Sequence, residues 1–124
     1  VRFLLDTNAL LWWRDGSSTL SKRAQDEIRD PANDVTISIV SWWEIAIKRS
    51  LGKLQFLEVF EDVMADEGFS LLPISYSHLS SLEKLPQSHR DPFDRLLIAQ
   101  SLAENIPVVT NDRKFADYGI TIVW

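Results

Sequence analysis

The sequence predicts an α/β fold, a parallel sheet covered by helices on both faces. Three observations predict it. Short apolar or β-branched runs alternate with segments of helical character along the whole chain, the order that builds parallel sheets. Two of those runs end alike: Phe3-Leu4-Leu5 in Asp6-Thr7-Asn8, and Val108-Val109-Thr110 in Asn111-Asp112. The chain has 124 residues, 45% hydrophobic and 25% charged, which suits one domain over residues 1–124 with a real core.

Phe3 to Leu5 reads as a buried strand and Asp6-Thr7-Asn8 as a turn. Ala9 to Trp13 is a short helix that stops near Asp15-Gly16. Ser21 caps a helix running to Asp30, and Pro31 ends it. Val35 to Ile39 is β-branched and forms the second strand. Ser41-Trp42-Trp43-Glu44 opens the next helix, which ends near Leu51-Gly52. Leu57 to Glu67 is helical and closed by Gly68. Ser70 to Ile74 is a third strand, and Pro73 places it at an edge or a strand end. A helix from Ser77 or His78 to Leu85 leads into the polar loop Pro86 to Arg90. Asp91 caps the clearest helix, Pro92 takes its first position, and it continues to about Asn105. Ile106 to Thr110 is the fourth strand, Lys114 to Tyr118 holds one helical turn, and Ile120 to Trp124 is the fifth strand.

Composition excludes several chemistries. No cysteine is present, which removes disulfides, thiolate catalysis and Cys-ligated zinc, and fits a reducing, cytoplasmic setting. The two histidines, His78 and His89, are too few for a His-rich zinc site. No apolar run is long enough to span a membrane, and Asp6 interrupts the first one too early for a signal-peptide core. The net charge of −5 argues at first against a nucleic-acid partner, since phosphate affinity rests on Lys and Arg.

The placement of the acids changes that view. Ligand sites in doubly wound sheets gather at the carboxyl ends of strands, near the switch in strand order. Asp6 and Asp112 follow strand ends, Glu44 follows the second strand, and Asp94 opens the helix before the fourth. Clustered carboxylates raise each other's pKa values, and a divalent cation removes the conflict. Oxygen ligands without Cys or His select Mg²⁺ or Mn²⁺. Two such ions about 3.5–4 Å apart stabilise both the attacking and the leaving oxygen of a phosphodiester. Each acid also has a structural reading. Glu44 has capping-box spacing from Ser41, Asp94 suits a helix dipole, and Asp112 caps the turn after it. Asp6 is the hardest to account for structurally.

Phe3-Leu4-Leu5-Asp6-Thr7-Asn8, the Ser41 to Glu44 segment, Asp91-Pro92-Phe93-Asp94-Arg95-Leu96-Leu97-Ile98-Ala99-Gln100 and Val109-Thr110-Asn111-Asp112 together resemble a PIN domain, above all the VapC-type toxin ribonucleases. The resemblance spans nearly the whole chain. It implies a three-layer sandwich around a mostly parallel five-stranded sheet. It also implies Asp6, Glu44, Asp94 and Asp112 as the acidic quartet around Mg²⁺ or Mn²⁺, with Asp91 matching a further acid of the motif. The implied activity is single-strand-specific endoribonuclease cleavage leaving a 5′-phosphate and a 3′-hydroxyl, toxic because it cuts RNA needed for translation. The implied partners are a small protein antitoxin and a second copy of the chain.

Thr7, Asn8, Thr110 and Asn111 are candidates to orient carboxylates or metal waters, with turn chemistry as the other reading. Lys48, Arg49, Arg90, Arg95, Arg113 and Lys114 are candidates for phosphate contact, although Glu44–Lys48 is an ordinary helical pair. His89 has no necessary role in a metal mechanism, and His78 reads as a helix-start residue. Trp12-Trp13 and Trp42-Trp43 are adjacent on helices, so one of each pair is expected at the surface. Two rival readings are a phospho-accepting receiver domain and a non-catalytic RNA- or protein-binding domain of the same fold. The receiver reading lacks an acidic pair beside Asp6 and a lysine at the late strand end.

Overall fold

Phe3, Leu4 and Leu5 are each at most 1% exposed, so the strand they form must lie inside the sheet and be covered on both faces. In the computed structural model, which describes residues 1–87 and 91–124, that strand is β1 (Arg2–Leu5). The other strands are β2 (Asp34–Ser38), β3 (Ser70–Leu72), β4 (Val108–Val109) and β5 (Ile122–Val123). All pairings are parallel, and the sheet order is β3-β2-β1-β4-β5. The expected α/β sandwich is present, and β3 lies at an edge as Pro73 foretold. This order also differs from the 2-1-3-4-5 order of receiver domains.

Among the described residues, six α-helices lie between the strands: α1 (Thr7–Asp15), α2 (Lys22–Arg29), α3 (Ile39–Ser50), α4 (Phe60–Glu67), α5 (Tyr76–Glu83) and α6 (Pro92–Glu104). A 3₁₀ helix covers Arg113–Tyr118. Side chains of β1 alternate between two cores, as strand geometry requires. Phe3 and Leu5 join Leu10, Trp42 and Ile45 on one face, while Leu4 joins Val40, Leu97 and Phe115 on the other.

Several boundaries depart from the sequence expectation. Thr7 and Asn8 are the first residues of α1 rather than a turn, because Asp6 ends β1 and caps α1 at once. Ile39 belongs to α3 rather than to β2, because the Ser38 hydroxyl accepts from the Val40 amide and starts the helix there. Glu44 therefore lies in the second turn, and no Ser41–Glu44 capping box forms. A capping box does form in α5, between Ser75 and His78. That helix begins at Tyr76 and ends before Leu85. Helix α4 starts at Phe60, not Leu57, whose side chain is 96% exposed. The capping roles given to Ser21, Asp91 and Asp112 hold. Among the described residues no helix is long and apolar enough to cross a membrane.

Candidate functional site

The chain leaves β1 for β2 and β3 on one side, then returns to β4 and β5 on the other. The switch lies between β1 and β4, where Leu5 is in register with Val109. The crevice beyond their carboxyl ends is the expected ligand position. Asp6 and Thr110 are the next residues on those two strands. The Asp6 amide donates to the Val109 carbonyl at 3.1 Å and fixes the pair side by side.

Asp6 is buried and has a structural role of its own. Its Oδ1 accepts from the Ala9 amide at 2.7 Å and caps α1. The difficulty of explaining Asp6 structurally is thereby removed, and its electrostatics become the informative feature. Burial pushes its carboxyl up to about 6, and the neighbouring charges of Asp112 and Glu44 add to the rise. Hydrogen bonds from the Thr110 hydroxyl and the Ala9 amide oppose it. Thr110 is fully buried and also accepts from the Asp112 amide at 3.0 Å. One hydroxyl thus ties the ends of β1 and β4 together.

Glu44 is buried in α3, and its Oε2 receives the Lys48 ammonium at 2.6 Å. The expected helical pair is present, so Lys48 holds an acid of this region. Asp94 sits in the first turn of α6, below the Asp91 cap that accepts from the Phe93 and Asp94 amides. Helix α6 runs back toward the start of β4, so its amino end lies at the carboxyl edge of the sheet. Trp43 of α3 meets Phe93 of α6 edge to face, with ring centroids 4.8 Å apart. This contact brings together the helix segments that carry Glu44 and Asp94. Asp112 caps the 3₁₀ helix, its Oδ1 accepting from the Lys114 amide at 3.0 Å.

The structure thus places Asp6 in electrostatic contact with Glu44 and Asp112, with Asp94 at the same edge. Among the described residues, no three acidic or imidazole side chains converge closely enough to hold one ion as they stand. The donors are all oxygen, as Mg²⁺ and Mn²⁺ prefer. The fit is one of donor chemistry and charge rather than of a preformed coordination shell.

The candidate Thr7 and two serines that spacing alone gave no catalytic reason to choose, Ser41 and Ser38, also belong to this edge. The buried Thr7 hydroxyl donates to the Ser41 hydroxyl at 3.0 Å, tying α1 to α3. The Ser38 hydroxyl donates to Gln100 Oε1 at 2.5 Å, tying the start of α3 to α6. Asn8 and Asn111 are exposed beside the acids. Arg95 donates to the Pro86 carbonyl at 2.7 Å. Arg49 bonds the Phe56 and Glu58 carbonyls and covers the Phe60 ring at 4.5 Å, so its role is packing. His78 is buried and bonds Glu104 at 3.0 Å, far from any catalytic use. The readings of His89 and Arg90 lie outside the described residues. Trp43 is half exposed and Trp42 buried as expected, but Trp12 and Trp13 are both partly buried.

A family model described as the PIN domain matches residues 3–120. Comparison with curated protein sequences finds no match. Among solved structures, VapBC2 from Rickettsia felis bound to a promoter DNA fragment superposes with a TM-score of 0.69 at 16% identity, over 98% of this chain and 97% of that one. VapBC-1 from nontypeable Haemophilus influenzae gives 0.65 at 13% identity, over 98% and 96%. A toxin–antitoxin complex from Klebsiella pneumoniae gives 0.63 at 22% identity, over 98% and 95%. At these identities the likeness is one of fold.

Proposed function

Because the chain belongs to the PIN domain family, we propose that it is a divalent-cation-dependent endoribonuclease acting on single-stranded RNA. The observation that carries this reading is the buried Asp6, its carboxyl pushed up to about 6, beside Asp112 and Glu44 at the β1–β4 switch. Such a group is costly to ionise alone and is relieved by a cation. Asp6 and Asp94 would hold Mg²⁺ or Mn²⁺ directly, and Glu44 and Asp112 directly or through water. When bound, the ion supplies Lewis-acid stabilisation of phosphate oxygens and a more acidic water. The chain's own part is to fix the acids. Thr110 holds Asp6 ready to ionise, Lys48 orients Glu44, and the Asp91 cap sets the first turn that carries Asp94.

The biological role proposed is that of a toxin restrained by a small protein antitoxin. Its support is the likeness to VapBC assemblies over nearly the full length of both chains. Ile39 and Trp43, one turn apart on α3, are 38% and 50% exposed. They support a homodimer surface on that helix. Purified protein with Mg²⁺ should cleave single-stranded RNA, and Asp6→Asn and Asp94→Asn should each abolish the cleavage. RNA binding that ignores chelator and yields no products would favour a non-catalytic binding domain instead.

A further inference from the structure

A cleft of about 520 Å³ opens beside the acids, on the β5 side of the β1–β4 switch. Its wall includes Thr110 and Asn111, Arg23, Arg113, Trp124 and Asp117. Thr110 belongs to both places, because its hydroxyl bonds Asp6. The Thr110 amide donates to the Val123 carbonyl at 3.3 Å, which sets Trp124 at the same edge of the sheet. Arg113 opens the 3₁₀ helix after Asp112, and Arg23 lies in the first turn of α2.

Three properties of this wall point to one kind of occupant. Arg23 and Arg113 are exposed, and among the described residues neither enters an ion pair. Arg2, Arg14, Lys22 and Lys48, by contrast, are all paired. The two arginines give this wall two positive charges against the one negative charge of Asp117. The third property is aromatic. Trp124 is partly exposed and held edge to face by Trp12 at 5.8 Å, so its indole is a fixed platform. Cationic side chains flanking an anchored aromatic ring, open to solvent, suit single-stranded nucleic acid, where bases stack and phosphates pair.

We propose that this cleft is a nucleotide subsite for single-stranded RNA next to the scissile phosphate. Trp124 stacks one base, and Arg23 and Arg113 hold flanking phosphates. The proposal rests on the ribonuclease reading above and adds to it the residues that grip the strand beyond the acids. None of the three is an acid of the candidate metal site. They are binding residues and should act on KM rather than kcat.

The test uses the full chain with Mg²⁺ and a single-stranded oligoribonucleotide that the wild type cleaves. Trp124→Leu should raise KM about tenfold with kcat little changed, as expected for losing one stacked base. Trp124→Phe should restore most of the loss, which separates stacking from packing. Arg23→Gln combined with Arg113→Gln touches only exposed side chains. It should flatten the dependence of log affinity on log salt by roughly 1.4, about 0.7 for each phosphate no longer neutralised. A 2-aminopurine scan should find one position quenched in the wild type and bright in Trp124→Leu. An active enzyme whose KM, salt slope and 2-aminopurine signal ignore these changes overturns the subsite alone. A wild type that cleaves no RNA overturns the ribonuclease reading and the subsite with it.

Discussion

Asp6→Asn should make the metal-free protein more stable at neutral pH, even though it removes the central acid. The carboxyl moves from 3.8 to about 6 on folding, a rise of about two units, or about 3 kcal/mol at about 1.4 kcal/mol per unit. The folded state holds this proton more tightly than the unfolded chain does. The group's contribution is thus fully present below about pH 4 and is lost as pH rises through about 6. Asparagine caps a helix about as well as aspartate, so the bond to the Ala9 amide survives. Its buried NH₂ needs new partners, an offset of about 1–2 kcal/mol. The expected net gain at neutral pH is therefore about 1–2 kcal/mol. The stability difference between variant and wild type should itself grow by about 3 kcal/mol from about pH 4 to neutral. Urea titrations in EDTA across that range measure it, and other titrating groups largely cancel between the two proteins. Saturating Mg²⁺ should then stabilise the wild type and leave Asp6→Asn unmoved. A difference that stays flat with pH would refute the claim that burial and acidic neighbours raise the Asp6 carboxyl on folding.

Three further outcomes follow from the same contacts. Thr110→Val removes a hydrogen bond that lowers the Asp6 pKa. The acid limb of the cleavage pH profile should therefore move to higher pH, and an unmoved limb would contradict the link. Asp112→Asn keeps a competent cap for the 3₁₀ helix, so its melting temperature should stay near wild type while cleavage falls; parallel loss of both would return Asp112 to a structural role. Leu97→Ala, at a fully buried position of α6, should cost about 2–5 kcal/mol in urea unfolding, and a cost under about 1 kcal/mol would contradict the packing described.

The sheet and the most regular helix were legible in the sequence because their signals were local. Phe3 to Leu5 is apolar without interruption, and Asp91-Pro92 opens α6 with a cap and the proline that a first turn accepts. The junctions were harder because one residue serves two elements. Asp6 closes a strand and caps a helix, and Ser38 does the same. A polar Asp-Thr-Asn run looks like a turn when the helix behind it gives no spacer. The β-branched run through Ile39 hides the change of period at Ser38. The Ser41–Glu44 spacing copied a capping box that the fold places instead at Ser75–His78, where histidine rather than glutamate returns the bond. In the candidate site, the identities of the acids were visible, but the coupling was not. That Thr110 bridges Asp6 and the Asp112 amide depends on β1 and β4 being neighbours, which only the three-dimensional pairing establishes. Arg23 and Trp124 carried no signal of their own in the sequence, since only the pairing of β4 with β5 and the packing of α2 bring them to the Thr110 edge.

Metal-dependent RNA cleavage by the acids at the β1–β4 switch is the property on which the proposed function stands. Sequencing the ends of a single-stranded RNA after incubation with purified protein tests it most directly, with Mg²⁺, with EDTA and with Asp6→Asn. Discrete internal cuts bearing a 5′-phosphate are expected with the wild type in Mg²⁺ alone. Cuts that persist in EDTA, or that Asp6→Asn makes as well as the wild type, would contradict it.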